Sequence, residues 1–419
     1  CHDAGLPVIP QGGNTGRCGG AVPSRDHEGI VLSLRRLARI RAVDPDNYTL
    51  TAEAGCILAD IQRAAATVDR LFPLSLGAEG SCQIGGNLAS NAGGLNVLRY
   101  GNARELTLGL EVVLADGRVW DGLNGLRKNN TGYDLRDLFI GSEGTLGIIT
   151  AATLKLFPRP QERGTALLAL GELEHCVALL ALARAISGDA VTSFELLPRL
   201  ALEFACRHIP GCRDPLPHPH GWYVLIELVG HAQPTTPLLE ALLEQAHARG
   251  LIVDAVTAAS QAQADALWRL REAAVEAQRF EGASIKHDVS VPVSRVPAFI
   301  RAASRVVTAM IPGVRVYAFG HVGDGNVHYN LSQPKDWEAA AFMARREELN
   351  RAVHDVAMAM GGSFSAEHGI GQLKLGEMAR YKSPVELQLM YALKRTLDPR
   401  GILNPGKVLP PLAGPKRGE

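Results

Sequence analysis

Two histidines, His321 and His328, bracket the run Val322-Gly323-Asp324-Gly325-Asn326-Val327. Asp-Gly between extended flanks favours a two-residue turn with positive φ at both central positions. That turn puts Asp324-Gly325 at the tip and His321 directly opposite His328. Opposed strand residues hold their Cβ atoms about 4.5–5.5 Å apart, a span from which two imidazoles reach one transition-metal ion. A turn whose histidines only hydrogen-bond is the alternative. A second segment, Ser365-Ala366-Glu367-His368-Gly369-Ile370-Gly371, adds a carboxylate and a third histidine side by side. Two imidazoles and a carboxylate suit Zn²⁺, Mn²⁺ or Fe²⁺ and leave coordination positions open for substrate. Adjacent side chains point in different directions, so Glu367 can ligate a metal while His368 approaches the bound substrate. The alternative is that both residues cap a helix starting near Gln372.

Glycine loops form the other chemical signal. Pro10-Gln11-Gly12-Gly13-Asn14-Thr15-Gly16 follows a short strand, and its glycines let successive N–H groups converge on an anion. The stretch Gly77 to Asn87 and the following Ser90-Asn91-Ala92-Gly93-Gly94 repeat the device, as does Gly141-Ser142-Glu143-Gly144. Such loops suit a pyrophosphate. No Gly-x-Gly-x-x-Gly lies between strand and helix, and no Gly-x-x-x-x-Gly-Lys-Ser/Thr occurs, which argues against a Rossmann dinucleotide site and a triphosphate P-loop.

The elements that must carry these groups fall into two zones. The first third alternates short β-like runs (Val8–Pro10, Gly29–Leu34, Tyr48–Ala54, Gly109–Leu114, Thr145–Thr150) with helices such as Ile57–Thr67. Pro158-Arg159-Pro160 interrupts the pattern. Helices then dominate (Glu174–Ile186, Leu238–Ala248, Ala262–Phe280), with strands at Gly221–Leu228, Ala283–Pro292 and Arg315–Phe319. The reading is α+β in both zones: a first domain over 1–157, completed by 398–412, and a second over 158–397. Pro210 to His220 is a surface loop.

The chain has 419 residues, long enough for two domains with sizeable cores. Lys+Arg and Asp+Glu balance at 43 each, which argues against nucleic acid or an acidic membrane as partner. Seven cysteines without a Cys-x-x-Cys pair point to a reducing compartment. No segment approaches the roughly 20 apolar residues of a membrane span. Cys1 is not a start methionine, and Cys1 to Leu6 reads like a helix end running into a strand, so the chain is expected to be truncated at its N-terminus.

Pro10 to Gly16, Gly85-Gly86-Asn87 to Gly94, and Gly141 to Ile149 resemble the FAD domain of the vanillyl-alcohol oxidase type. Gly320 to His328 with Ser365 to Gly369 narrow the resemblance to FAD-linked D-2-hydroxyacid dehydrogenases, and the matches run from Pro10 to Lys407. The resemblance implies a two-lobed FAD-binding domain and a cap domain of antiparallel sheet and helices. The family's FAD domain begins with a strand and helix ahead of the first glycine loop, of which this chain carries little. Cofactor contacts are expected from Pro10, Gln11, Gly12, Gly13, Asn14, Thr15, Gly16, Gly77, Ser81, Gly85, Gly86, Ser90, Gly93, Glu143, Gly144, Ile149 and Asn404. Members with covalent flavin carry a histidine where this chain has Asn14, so FAD is expected to bind non-covalently.

The same resemblance implies that His321, His328 and Glu367 hold the metal, Zn or Mn, and that His368 takes the hydroxyl proton. Arg271 and Lys286 would bind a second carboxylate, and Asn330, two residues beyond His328, would meet substrate from the same strand face. A solvated Lys286, or an Asn330 that satisfies a backbone group, is the alternative. The family's threonine one turn after the arginine is Val275 here. D-2-hydroxyglutarate is the first-choice substrate; D-lactate or glycolate dehydrogenation is the runner-up, and a flavin- or metal-binding protein without turnover is the reading from another class. Expected partners are a small 2-hydroxy acid and an acceptor such as an electron-transfer flavoprotein or a quinone, and a homodimer is an admissible assembly. The expected compartment is the cytoplasm of a bacterium or the mitochondrial matrix of a eukaryote.

Overall fold

The computed structural model describes residues 1–24, 28–230 and 234–411. The chain divides into two compact units. Unit 1 comprises Cys1–Gly94, Tyr100–Arg159 and Glu367–Glu419, and unit 2 comprises Leu95–Arg99 and Pro160–Ala366. The division falls at Arg159/Pro160, inside the Pro-Arg-Pro break. The return to unit 1 comes at Glu367, well before residue 398, where the sequence reading resumes the first domain. The helix Pro384–Leu397 explains this: its Lys394 ammonium donates to the carbonyls of Thr145 and Leu403, both at 2.8 Å, and so ties the helix to unit 1.

Unit 1 is built on a five-stranded antiparallel sheet in the order Ile40–Asp44, Thr49–Glu53, Ile148–Lys155, Thr107–Val113, Val119–Asp121. Its apolar face packs on the helix Leu58–Thr67, which buries Leu58, Ile61 and Ala65 at the i, i+3, i+7 spacing of one helical stripe. A separate pair of parallel strands, Val8–Gln11 and Ile30–Ser33, leads into the first glycine loop.

Unit 2 carries a seven-stranded sheet whose neighbours are all antiparallel, in the order Ile252–Thr257, Glu162–Leu170, Trp222–Gly230, Val191–Pro198, Arg315–His321, Asn326–Ser332, Ser284–Ser290. Separate apolar clusters lie on its two faces, with Leu168, Leu196 and Ile226 in one and Leu167, Leu197 and Leu225 in the other. A strand covered on both sides reads as a continuous apolar run rather than an alternation, and every residue of Val191–Pro198 is buried. That strand escapes the sequence reading because Thr192, Ser193 and Glu195 dilute its hydrophobicity. The two long helices Thr235–Ala248 and Gln261–Ala277 lie where the sequence places them, the latter continued by a 3-10 turn through Glu281.

Candidate active site

In unit 1 the glycine loops close around a cavity enclosing about 910 Å³ of non-atom space, part of it open to solvent. Twelve expected cofactor contacts line it: Pro10, Gly12, Gly13, Asn14, Thr15, Gly16, Gly85, Gly86, Ser90, Glu143, Gly144 and Ile149. Gly13 is forced by packing, since a Cβ there would fall 2.2 Å from the Ser81 carbonyl oxygen. Gly86 is different. A Cβ there would meet nothing within 4 Å, so the space left by its missing side chain is open to a ligand.

Gln11, Gly77, Ser81, Gly93 and Asn404 lie outside the lining. The Gln11 amide instead donates to the Ala21 carbonyl at 2.8 Å. Asn404 braces the cavity from behind, its amide donating to the carbonyls of Gly20 (2.9 Å) and Glu143 (2.8 Å). Gln83 and Asn87 line the cavity without having been singled out. Their carbonyl oxygens Oε1 and Oδ1 are buried with no hydrogen-bond partner among the described residues. Buried acceptors of this kind are normally satisfied, and a ligand with N–H and hydroxyl donors beside its phosphates fits them.

His368 lines the same cavity. It does not cap a helix near Gln372, because the nearest helix begins only at Leu375. The chain beyond His368 is pinned by Glu143, whose carboxylate oxygens accept the N–H groups of Ile370 (2.7 Å) and Gly371 (2.8 Å). Burial pushes the Glu143 carboxyl above its ordinary value, against the lowering effect of those two N–H bonds and of Lys374 and Lys407.

In unit 2 the histidine hairpin differs in register from expectation. The turn is a 3-10 segment, Val322–Asp324, closed by Gly325 at φ 85°, and no positive φ occurs at Asp324. His328 therefore pairs with Phe319, while His321 pairs with Glu195 on the neighbouring strand. The slip is two residues. Because side chains alternate with a period of two, the two imidazoles still share a face, with ring centroids 5.3 Å apart and planes at 78°.

Each imidazole has a carboxylate beside Nδ1. Glu195 Oε1 lies 2.6 Å from His321 Nδ1, and Glu195 Oε2 accepts Arg271 Nε at 2.6 Å. Burial works to raise the Glu195 carboxyl, yet its hydrogen bonds with His321 and Arg271 and the Arg271 charge hold it below its ordinary value. Asp288, in register with His328, places Oδ1 3.7 Å from His328 Nδ1 and accepts the Asn326 amide at 2.9 Å. The Asp288 carbonyl also accepts the Ala366 N–H at 3.1 Å, so the residue preceding Glu367 is tied to the strand alongside His328.

The expected substrate residues belong to this sheet and its covering helix. Arg271 is 5% exposed, with its guanidinium 5.0 Å from the Phe319 ring centroid. Lys286 is exposed and in register with the buried Asn330. The Asn330 amide donates to Gln278 Oε1 at 2.9 Å, and Gln278 Nε2 donates to Ser332 Oγ at 2.9 Å. Val275 packs against the core on the Arg271 helix. Neither Glu195 nor Gln278 is among the residues that the sequence predicts for the site. The only signal for Glu195 is a lone acid in a β-prone apolar run, and Gln278 carries none.

A family model described as FAD linked oxidases, C-terminal domain, matches residues 159–408, and one described as FAD binding domain matches residues 1–122. The chain belongs to the FAD-linked oxidases. A protein of Oryza sativa subsp. indica named "Probable D-2-hydroxyglutarate dehydrogenase, mitochondrial" is 41% identical over 412 residues, 98% of this chain and 72% of the relative. A D-2-hydroxyglutarate dehydrogenase of Xanthomonas citri is 39% identical over 404 residues, 96% of this chain and 84% of the relative. Among solved structures, p-cresol methylhydroxylase with substrate bound superposes with a TM-score of 0.76 at 17% identity, covering 97% of this chain and 85% of that one. That likeness concerns the fold, the vanillyl-alcohol oxidase type of FAD-binding architecture accompanied by an α+β domain. This FAD-linked oxidase is thus an FAD-dependent oxidoreductase. No helix among its described residues is long and apolar enough to cross a membrane.

Proposed function

We propose that this FAD-linked oxidase is a dehydrogenase that oxidises the CH–OH group of a D-2-hydroxy acid, D-2-hydroxyglutarate first, to the 2-oxo acid, with non-covalent FAD and a divalent cation, Zn or Mn. One observation carries the reading: within three consecutive residues the chain passes from Ala366, hydrogen-bonded to the strand beside His328, through Glu367 to His368 in the cofactor cavity. The relatives named for D-2-hydroxyglutarate, matching nearly the whole chain, support the substrate.

In this reading His321, His328 and Glu367 are the metal ligands, a two-nitrogen, one-oxygen set that suits Zn²⁺ or Mn²⁺. Bound FAD supplies the hydride acceptor, at N5, and the cation supplies a positive charge that favours an ionised hydroxyl. His368 accepts the hydroxyl proton, an imidazole being the side chain suited to proton transfer near neutrality. Arg271 and Lys286 hold the far carboxylate and Asn330 orients the substrate. Asn14 offers no nucleophile for a covalent flavin link. Electrons leave to an electron-transfer flavoprotein or a quinone, in the mitochondrial matrix of a eukaryote or the cytoplasm of a bacterium.

Anaerobic addition of D-2-hydroxyglutarate to the FAD-loaded protein tests the proposal, together with metal analysis of the same sample. Bleaching of the oxidised flavin band, abolished by a chelator and restored by Zn²⁺ or Mn²⁺, is expected. A flavin that stays oxidised with every D-2-hydroxy acid tried would reject the enzyme. Bleaching by D-lactate or glycolate alone would move the assignment to the second reading, which Val275 favours because it cannot hydrogen-bond to a polar substrate tail.

A further inference from the structure

Glu195 sits in the middle of a fully buried strand with two cationic or proton-bearing partners and a 1% exposed side chain. A carboxylate accepts and never donates, so at 2.6 Å from Glu195 Oε1 the His321 Nδ1 atom must carry the proton. With the ring neutral, as a metal-ligating imidazole must be, the other ring nitrogen, Nε2, keeps its lone pair. The second Glu195 oxygen takes Arg271 Nε at 2.6 Å, which orients a guanidinium whose carbon lies over the Phe319 ring, 5.0 Å from its centroid. Arg271 thus spends Nε on Glu195, and among the described residues its Nη groups take no hydrogen-bond partner.

Building on the metal and dicarboxylate reading above, we propose that Glu195 is a positioning residue serving both halves of the substrate. It sets the His321 tautomer that presents Nε2 to the cation, and it aims the Arg271 Nη groups at the far carboxylate. A carboxylate behind a ligating imidazole raises its basicity and fixes its orientation, and removing one costs about 10–100-fold in metal affinity. Strain or simple core filling would not produce that specific loss.

The test uses the FAD-loaded protein stripped of metal and titrated with Zn²⁺ and separately with Mn²⁺. Glu195→Gln keeps the shape of the side chain. It is expected to weaken metal binding about 10–100-fold while FAD content stays at the wild-type level, and to raise KM for D-2-hydroxyglutarate more than KM for D-lactate. His321→Ala serves as the reference for loss of the metal. If wild-type protein binds neither metal, the metal reading itself fails. If wild type binds metal, His321→Ala does not, and Glu195→Gln binds as tightly as wild type, only the role of Glu195 is overturned. Should Glu195→Gln not fold, nitrogen-15 histidine spectra of the wild-type holoenzyme decide, with His321 assigned by difference from His321→Asn. A protonated Nδ1 is expected, and a protonated Nε2 would overturn the proposal.

Discussion

The carboxylate of Glu143 and the amide of Ile370, 227 positions apart in the chain, meet at 2.7 Å. One wall of the glycine-loop cavity thereby anchors the segment that begins at His368. In Glu143→Gln one oxygen becomes an NH₂ group, so one of the two partly buried N–H groups faces a donor; leaving a fully buried group unsatisfied costs about 1–3 kcal/mol, which bounds the effect from above. The expected result is a lower Tm in the FAD-loaded protein and faster FAD release, read by differential scanning fluorimetry and by flavin fluorescence on dilution. An unchanged Tm and release rate would show that the clamp contributes nothing.

His368 is assigned the proton, not the cofactor. His368→Asn should therefore retain FAD and metal at wild-type stoichiometry while the rate of flavin reduction falls by about 10²–10⁴-fold. Stopped-flow spectroscopy at saturating D-2-hydroxyglutarate measures this. A variant that reduces its flavin at the wild-type rate would assign the proton elsewhere.

Lys286 is exposed and in register with Asn330. A charge-assisted hydrogen bond to a second carboxylate is worth about 1.5–3 kcal/mol, or one to two decades in affinity. Lys286→Ala should lower kcat/KM for D-2-hydroxyglutarate by that factor and leave D-lactate nearly untouched. Equal losses on both substrates would remove the dicarboxylate preference.

Acid stability has a definite source away from the site. Burial works to raise the Glu281 carboxyl, but hydrogen bonds from His208, Arg315 and Arg207 hold it at about 2. A carboxyl depressed in the folded state stabilises the protein fully above its unfolded value, about 4.3, and that stabilisation fades as pH falls toward 2. Urea midpoints between pH 5 and pH 2.5 should therefore fall more steeply for wild type than for Glu281→Gln. At pH 7 the variant should be less stable by on the order of 2 kcal/mol. Parallel pH profiles would remove Glu281 as the source.

The histidine pair was legible because residue type and spacing survive a slip in register. The expected two-residue turn is in fact a 3-10 segment, and yet His321 and His328 stay on one face because the slip is even. The glycine loops were legible as a group but not residue by residue. Gln11 lies between lining residues in the sequence, whereas Asn404 comes from far along the chain, and both spend their amides on carbonyls instead. Glu195 was not legible, since its partners Arg271 and His321 come from distant strands and helices that only the folded sheet brings together. Asp288 stood in plain view beside Lys286, and its register with His328 depends on a strand pairing that no local pattern specifies.

The short relay from Ser332 through Gln278 to Asn330 has a direction. Because the Gln278 NH₂ group points to the hydroxyl, its oxygen must receive the Asn330 NH₂ group, and the Asn330 oxygen is turned the opposite way. Whatever molecule meets that oxygen must bring a proton of its own, so the strand sorts ligands there by the polarity of their hydrogen bonding rather than by their outline.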